Sequence, residues 1–345
     1  MTSSPDVSEV LTCWAVTGGA RGMEVPTVGL AEALGLKPVV KRVRLKLLWH
    51  RLFPFFRGGL AHAFDEEAGD PLRPPWPDVL VATGRVGAAA SLAVRRASQR
   101  EGTPHRDRTF TLQIQDPHLA PCFFDLMVVP QHDTVRGPNV ITTRGSLHGL
   151  TSDILAREAV NLRSRLEENR SPPRIAVLIG GPNKVYAFSP AVIRNLVARL
   201  QGLMARTGGS LLVVPSRRTP PDLVVALREG LADSPAWIWD GTDPNPYIGV
   251  LGLADAVVVT ADSVNMVTEA CFTGRPVYVV ALSGGSAKFE RFHAQMQKEG
   301  FTRPFTGEED RTWTPPPRLD DRPLVVKRVR EALGIVDDAK ASDGS

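Results

Sequence analysis

The sequence predicts an α/β fold made of two doubly wound, Rossmann-like domains that face a cleft. Short apolar strands alternate with helices along most of the chain, which is typical of parallel sheets covered by helices on both faces. The length of 345 residues suits two domains of ordinary size. The alternation stops at a proline-rich break, 170–174, and then starts again.

The first half of the chain alternates in this way from its start. A glycine-rich loop, 18–22, separates the first strand from a helix at 24–35 that ends at Gly35. A second helix is predicted at 85–98 and a charged helix at 152–169. The predicted strands are 10–17, 39–45, 78–84, 109–115, 124–130 and 139–142.

The second half repeats the pattern. Its first helix, 189–207, begins with Ser189 as the N-cap and Pro190 at the first helical position. Strands are predicted at 174–181, 210–216 and 236–240, and at the two ends of the stretch 257–280, which has a helix between them. Further helices are predicted at 220–231, 245–254, 287–299 and 322–333.

These elements suggest a domain plan. The first domain is predicted at 1–150, a linker helix at 151–173 and the second domain at 174–321. A C-terminal helix at 322–335 and a disordered tail at 336–345 complete the chain.

Composition indicates a cytoplasmic globular protein. The net charge of +4 is mild and does not favour nucleic acid as a partner. The odd number of three cysteines fits a reducing compartment and has no zinc-site spacing. The start of the chain shows no signal peptide, and no apolar run of about 18 residues predicts a membrane span.

Polar residues follow the predicted strands of the second domain, at the sheet edge where parallel sheets bind ligands. Gly180, Gly181 and Asn183 follow one strand, and glycines let a backbone approach a phosphate closely. Ser216 follows the next strand with two anion-binding candidates, Arg217 and Arg218. An ordinary turn and a solvated surface pair would explain the same residues.

A third polar turn precedes the helix within 257–280. Asp262 and Ser263 stand at the helix start, and either of them could simply be an N-cap. Glu269 lies about two turns further on, where a carboxylate could accept the two vicinal hydroxyls of a ribose or could face solvent. Together the three turns predict a site for a nucleoside diphosphate.

The first domain supplies candidates for acid–base chemistry. Asp116 and His132 follow two neighbouring predicted strands, where a general base would face a cleft, although such residues are more often turn formers. Arg21 in the glycine-rich loop could face the same place or solvent. The loop lacks the GxGxxG and Walker signatures, and the chain lacks GxSxG, HExxH and DxD. The sequence therefore predicts no bound cofactor and no metal.

A basic segment, Lys37 to Gly59, contains seven Lys or Arg residues and no acid. Aromatic residues interleave with the charges, namely Trp49, Phe53, Phe55 and Phe56. This composition predicts attachment to an anionic membrane surface, and the other interpretation is an amphipathic core element with a solvated basic face.

Motifs along nearly the whole chain resemble the "elongated mitochondria" family, named for mitochondrial fission and regarded as glycosyltransferases of the GT-B type. The matching motifs are GLAEALG, PDVLVATGR, QIQDPHLAPCFFDLMVVPQHD, NVITTRGSLH, VLIGGPNKVYAF, SRRTPP, NPY and VVTADSVNMVTEACFTGRPVYV. The last motif is also similar to the donor-binding unit of the lipid-linked glycosyltransferase of peptidoglycan synthesis.

The resemblance implies a donor site in the second domain and an acceptor site in the first. It places Asp262 and Ser263 at the diphosphate, Glu269 at the ribose, and Asn245 and Tyr247 of the NPY motif in the donor site. It also implies that the last helix packs on the first domain. The family often has Asn and Gln after its first glycine-rich loop, where this chain has 23–27 as MEVPT. This departure leaves the acceptor open.

The expected function is metal-independent transfer of a sugar from a nucleoside-diphosphate sugar to a lipid or lipopolysaccharide sugar at the inner membrane. Asp116 or His132 would take the acceptor proton, and Arg217 or Arg218 would stabilise the leaving diphosphate. The alternatives are a nucleotide-sugar epimerase of the same fold and a non-enzymatic membrane adaptor in fission.

Overall fold

The computed structural model describes residues 11–166, 171–242, 244–309 and 313–335, which form two compact units. Unit 1 takes its residues from Met1–Thr143, Leu147–Gly149 and Asp321–Ser345. Unit 2 takes them from Arg144–Ser146 and Leu150–Asp320. The predicted tail, 336–345, lies outside the described residues.

Unit 1 contains a parallel six-stranded sheet in the order β2-β1-β3-β4-β5-β6. Its strands are almost wholly apolar because helices cover both faces of the sheet. The strands are β1 Cys13–Thr17, β2 Pro38–Arg42, β3 Val79–Thr83, β4 Phe110–Ile114, β5 Leu126–Pro130 and β6 Val140–Thr143.

Three helices follow strands of this sheet: α1 Arg21–Ala33, α2 Leu47–Leu52 and α3 Gly84–Glu101. Helix α1 begins inside the loop predicted at 18–22, because the N–H groups of Met23 and Glu24 already bond to the carbonyl of Ala20. The short helix α2 had no separate prediction. Two 3₁₀ turns, Leu60–His62 and Pro121–Phe123, complete the connections.

Unit 2 contains a second parallel six-stranded sheet, in the order β10-β9-β7-β11-β12-β14. Its strands are β7 Arg174–Ile179, β9 Ser210–Pro215, β10 Ala236–Ile238, β11 Ala256–Thr260, β12 Val277–Val280 and β14 Arg303–Pro304. A small antiparallel pair, β8 Tyr186–Ala187 and β13 Ser283–Gly284, lies apart from the sheet. The sequence did not predict β8, β13 and β14.

Helices cover this sheet as well. They are α4 Ser152–Arg163, α5 Pro190–Thr207, α6 Pro221–Gly230, α7 Tyr247–Leu253, α8 Val264–Phe272 and α9 Ala287–Lys298. The predicted cap of α5 is confirmed, because the Ser189 side chain accepts a hydrogen bond from Val192 N. The site discussed below lies at the ends of β7, β9, β10 and β11.

Helix α4 differs from the predicted linker, because it packs within unit 2 against α7. Two glycines of α7 permit the close approach. A Cβ atom at Gly249 would lie 2.6 Å from the carbonyl oxygen of Glu158, and one at Gly252 would lie 2.4 Å from that of Leu155. The buried apolar residues of α4 therefore belong to the hydrophobic core of unit 2.

The last helix, α10 Arg322–Leu333, returns to unit 1. Its Val325, Val329 and Leu333 are buried in one hydrophobic cluster with Leu30 and Leu34. The fold class predicted from the sequence, two parallel-sheet Rossmann-like domains, is confirmed. Within the described ranges, none of the helices combines the length and the apolar character that crossing a bilayer requires.

Candidate functional site

Asp262 organises the carboxyl edge of the sheet in unit 2, where β9, β7 and β11 end side by side. Its side chain is 0% exposed. One carboxylate oxygen, Oδ2, accepts hydrogen bonds from Gly181 N at 3.1 Å and from Arg218 Nη2 at 2.9 Å. The other, Oδ1, accepts from the hydroxyl of Thr260 at 2.6 Å. This carboxylate therefore binds protein donors and orients the turns around it.

The two glycines after β7 are required by close contacts with these groups. A Cβ atom at Gly180 would lie 2.1 Å from both carboxylate oxygens of Asp262. At Gly181 it would lie 2.2 Å from the carbonyl oxygen of Arg218. A side chain at either position would displace the turn, so the two glycines allow the ends of β7, β9 and β11 to lie close together at this edge.

The two neighbouring arginines after β9 have different environments. Arg218 donates to Asp262 and, through Nη1, to the carbonyl of Gly181 at 3.2 Å. Arg217 is exposed and has no ion pair or hydrogen bond from its side chain in the part of the chain that the structure describes. Arg218 thus holds the turn, whereas Arg217 is available to an anion.

The remaining predicted residues of this edge are also held by hydrogen bonds. Asn183 donates to the carbonyl of Asp262 at 3.2 Å and accepts from the N–H groups of Val185 and Tyr186. Ser216 accepts from Arg218 N at 3.2 Å within its turn. Ser263 is the N-cap of α8. These side chains shape the backbone of the site.

Tyr247 and Glu269 form the second part of the site. The phenol of Tyr247 donates to Oε2 of Glu269 at 2.5 Å, and Asn245 accepts from Tyr247 N at 2.9 Å. Burial raises the pKa of Glu269 from 4.5 to about 7, against the lowering effect of the Tyr247 bond. Burial and the neighbouring carboxylate raise the pKa of Tyr247. Glu269 is thus a half-buried acid bonded to a phenol rather than a fully solvated carboxylate.

Sequence reasoning missed three residues of this edge. Thr219 donates to the carbonyl oxygens of Ile179 and Gly180, and Thr260 supports Asp262. On α9, the Nε2 atom of His293 lies 2.8 Å from the carbonyl oxygen of Ala261. Burial lowers the pKa of His293, against raising effects of the Ala261 bond and Asp262. The only signal available was position: Thr260 is the last residue of β11, and Thr219 lies in the turn between β9 and α6.

In unit 1, Asp116 and His132 follow β4 and β5, which are neighbouring strands. Asp116 accepts from His118 N at 2.7 Å, and its side chain is 14% exposed. His132 is 3% exposed, so its imidazole lies in the interior. Arg21 is the first residue of α1, and its side chain lies outside the described residues.

The basic segment of unit 1 exposes Val39, at 54%, and a group of apolar side chains further along the chain. Phe53 is fully buried and Trp49 packs against the core, so neither aromatic forms the surface. Arg42 is paired with Glu24 through two hydrogen bonds of 2.7 Å. The exposed apolar residues within 47–56, called here the apolar surface, are Leu47 at 75%, Leu48 at 65%, Leu52 at 38%, Phe55 at 91% and Phe56 at 52%.

Among the described side chains, no group of His, Cys, Asp and Glu has an arrangement that could hold a metal ion. The donors at the edge of unit 2 are instead backbone N–H groups, hydroxyls and a guanidinium. Such groups suit an anionic, hydroxyl-bearing ligand.

Comparison with solved structures shows similarity over almost the whole chain. UDP-GlcNAc 2-epimerase from Methanocaldococcus jannaschii aligns with a TM-score of 0.52 and 11% identity, over 93% of this chain and 100% of that chain. MnaA of S. aureus, solved with UDP, aligns with a TM-score of 0.50 and 13% identity, over 95% and 90%. At these identities the likeness shows the fold, which is GT-B-like.

Comparison of sequences identifies a closer relative. The mitochondrial fission protein ELM1 of Arabidopsis thaliana is 31% identical over 283 residues, 74% of this chain. The match spans 64% of the length of the Arabidopsis protein. The model of the family described as Mitochondrial fission ELM1 matches residues 21–333. The chain therefore belongs to the Mitochondrial fission ELM1 family.

Proposed function

We propose that the protein is a metal-independent glycosyltransferase that uses a nucleoside-diphosphate sugar. An acceptor hydroxyl oxygen forms a bond to the anomeric carbon of the donor sugar. The bond from that carbon to the diphosphate oxygen breaks, and the nucleoside diphosphate leaves with the electron pair. The acceptor proton passes to a carboxylate of the protein.

The observation on which the proposal depends is the Tyr247–Glu269 pair. A carboxyl group that is half-buried, as Glu269 is, is costly to ionise unless its charge meets a donor. Tyr247 supplies one donor to Glu269, and the vicinal hydroxyls of a ribose would supply the other two. Ribose binding would then stabilise the ionised carboxylate of Glu269.

Arg217 supports the diphosphate part of the proposal. Its guanidinium is exposed beside the glycine turn, while Arg218 is tied to Asp262. A planar guanidinium forms charge-assisted hydrogen bonds with phosphate oxygens. Arg217 would thus stabilise the charge that develops on the leaving diphosphate.

Asp116 is the better of the two candidate bases. A general base must come within hydrogen-bond reach of the proton that it removes. The Asp116 carboxylate is partly exposed, whereas His132 is almost fully buried. We therefore assign proton removal to Asp116 in unit 1.

The apolar surface supports an acceptor located at a membrane. Its five residues lie between the cations of Lys46, Arg51 and Arg57, and no acid occurs from Lys37 to Gly59. Apolar side chains flanked by cations suit the boundary between headgroups and acyl chains of an anionic bilayer. The proposed location is the cytoplasmic face of the inner membrane.

Calorimetric titration with UDP, GDP, CMP and their sugars tests the donor site. We expect one nucleotide to bind to the wild type and to Glu229→Gln, an exposed carboxylate on α6. Glu269→Gln should lose most of this affinity. If no nucleotide binds, or if Glu269→Gln binds as well as the control, the proposal is wrong.

Two other functions have specific support. The aligned epimerase of M. jannaschii shares the fold, and an epimerase would convert a nucleotide sugar in the absence of any acceptor. The Arabidopsis relative is named for mitochondrial fission, and an adaptor would bind vesicles without binding nucleotides. Incubation with the nucleotide sugar alone, followed by NMR of the sugar, separates epimerisation from transfer.

A further inference from the structure

Two strand–helix turns lie side by side in unit 1, one after β1 and one after β3. Strands β1 and β3 are parallel neighbours, so their carboxyl ends meet at one edge. A Cβ atom at Gly18, after β1, would lie 3.6 Å from Cβ of Val86 in the first turn of α3. At Gly19 no atom lies within 4 Å of that position, so the turn has open space in front of it.

Neither helix that begins here is capped by a side chain. Ala20, before α1, has no polar group, and Thr83, before α3, makes no capping bond. The Thr83 hydroxyl instead lies 2.5 Å from the hydroxyl of Thr27. The first N–H groups of α1, with 13 residues, and of α3, with 18, therefore have no side-chain acceptor.

A cation stands at this place with no anion beside it. Arg85 is the second residue of α3, it is half-buried, and its Nε atom is buried without a partner. Among the described residues its guanidinium has no hydrogen bond and no ion pair. A positive charge in the first turn of a helix opposes the helix dipole, so the position is unfavourable without a ligand.

A second buried polar group lies at the same turn. Gln113 is 0% exposed, and its Nε2 atom donates to the carbonyl of Gly84, the first residue of α3, at 3.2 Å. Its Oε1 atom is buried without a partner within the described residues. Buried polar atoms in native proteins are nearly always satisfied. The turn therefore contains a donor, Nε of Arg85, and an acceptor, Oε1 of Gln113, that are both without partners among the described residues.

The acid in the first turn of the neighbouring helix α1 makes no ion pair with Arg85 among the described residues. Glu24 lies in the first turn of α1. Both of its carboxylate oxygens accept hydrogen bonds from Arg42 at 2.7 Å. Within the described ranges, the charge of Arg85 is thus left without a counter-charge.

We propose that unit 1 binds a phosphate group at this turn, through the guanidinium of Arg85 and the first N–H groups of α3. If unit 1 is the acceptor side, as the proposed function holds, the acceptor belongs to the class of phosphorylated compounds. A phosphorylated lipid and a soluble sugar phosphate share this chemistry.

The test uses Arg85→Gln, and Arg100→Gln as the matched control, an exposed arginine near the other end of α3. Without ligand, Arg85→Gln should melt at the wild-type temperature or above it, because an unfavourable charge has been removed. A structural role for Arg85 would instead lower the melting temperature and would overturn the proposal. This comparison also shows that the variant folds.

Binding is followed with inorganic phosphate and pyrophosphate by calorimetry and by the ¹⁵N–¹H signal of the Arg85 Nε group. We expect that signal to shift on titration, and Arg85→Gln to bind at least tenfold more weakly than Arg100→Gln. Equal affinity in the two variants, or an unmoved signal, would overturn the proposal. Glycerol 3-phosphate and vesicles containing phosphatidic acid then distinguish a soluble from a lipid phosphate.

A parallel titration with UDP keeps the two proposals separate. Phosphate binding that depends on Arg85, without any UDP binding, would support this site and overturn the donor site of unit 2. UDP binding that depends on Glu269, with no effect of Arg85→Gln on phosphate affinity, would support the donor site of unit 2 and overturn the phosphate site of unit 1.

Discussion

The phenolic oxygen of Tyr247 lies 2.5 Å from Oε2 of Glu269. The two residues are 22 positions apart, on α7 and α8, and each changes the ionisation of the other. Burial raises the pKa of Glu269 to about 7, and the bond from Tyr247 limits that rise. The carboxyl group is therefore close to its midpoint at neutral pH, where a ligand can change its charge.

Stability should depend on pH through Glu269. Its folded pKa of about 7 lies above its ordinary value of 4.5. The stabilisation is therefore complete below the unfolded value and is lost as pH rises through the folded one. We expect the difference in unfolding free energy between wild type and Glu269→Gln to fall by roughly 3 kcal/mol over this interval. Urea unfolding at several pH values measures it, and a constant difference would contradict the prediction.

Nucleotide affinity should rise with pH up to about 7, because ribose hydroxyls bind the ionised carboxylate of Glu269. Binding below that pH should release a proton, which calorimetry in two buffers of different ionisation enthalpy detects. Tyr247→Phe removes the bond that lowers the pKa of Glu269, so the midpoint should move to higher pH. An unchanged profile in Tyr247→Phe would argue against this coupling.

The two arginines after β9 should separate stability from binding. Arg218→Gln should lower the unfolding free energy by about 2 kcal/mol or more, because it leaves the buried Asp262 without its cation. Arg217→Gln should change it by less than about 0.5 kcal/mol, yet weaken nucleotide binding about tenfold. Equal effects of both variants on unfolding would contradict the structural distinction.

The glycine turn offers a steric test. Gly181→Ala would place Cβ 2.2 Å from the carbonyl oxygen of Arg218, and we expect a loss of about 2 kcal/mol or more. The control is Gly202→Ala on α5, where the nearest atom is the end of the Arg206 side chain at 3.4 Å. That control should stabilise by about 0.5–1 kcal/mol, since alanine favours helix. Thermal unfolding measures both.

The apolar surface should decide membrane binding. Phe55→Ser and Leu47→Ser should each weaken binding to anionic vesicles roughly tenfold, because each removes about 1.5–3 kcal/mol of burial. Val225→Ser is the control, since Val225 is 51% exposed on α6 of unit 2. Co-sedimentation with anionic and neutral vesicles measures the effect. Equal binding of all three variants would show that the apolar surface does not touch the bilayer.

Local patterns were enough for most of the helices and strands. The pair Ser189 and Pro190 marks the start of α5 because a cap and a fixed φ act within a few residues. Most strands of 4–6 residues in both sheets are apolar because both faces are covered, whereas the edge strand β2 ends with Lys41 and Arg42. The two-residue strands β8 and β13 could not be predicted, since their pairing depends on contacts almost 100 positions apart.

The sequence predicted where the candidate site lies, but it predicted the roles of the individual residues only in part. Glycines, arginines and acids at strand ends mark the carboxyl edge of a parallel sheet. The sequence could not show that the carboxylate of Asp262 accepts hydrogen bonds from protein donors while the guanidinium of Arg217 stays available. Both facts depend on residues that are far apart in the sequence. Likewise, nothing in the sequence distinguishes Phe53 from Phe55, yet Phe53 is 0% exposed and Phe55 is 91% exposed.

The sequence by itself determined the alternating fold class, the two sheets, the family and the positions of the polar turns, since these follow from short-range periodicity and motif order. The tertiary structure alone decided that Arg218 is held by protein groups whereas its neighbour Arg217 is exposed. It also paired Tyr247 with Glu269, and it buried the Nε atom of Arg85 without an anionic partner in the part of the chain that the structure describes. The physical reason is that ionisation and availability depend on burial and on partners in space, which local sequence does not specify.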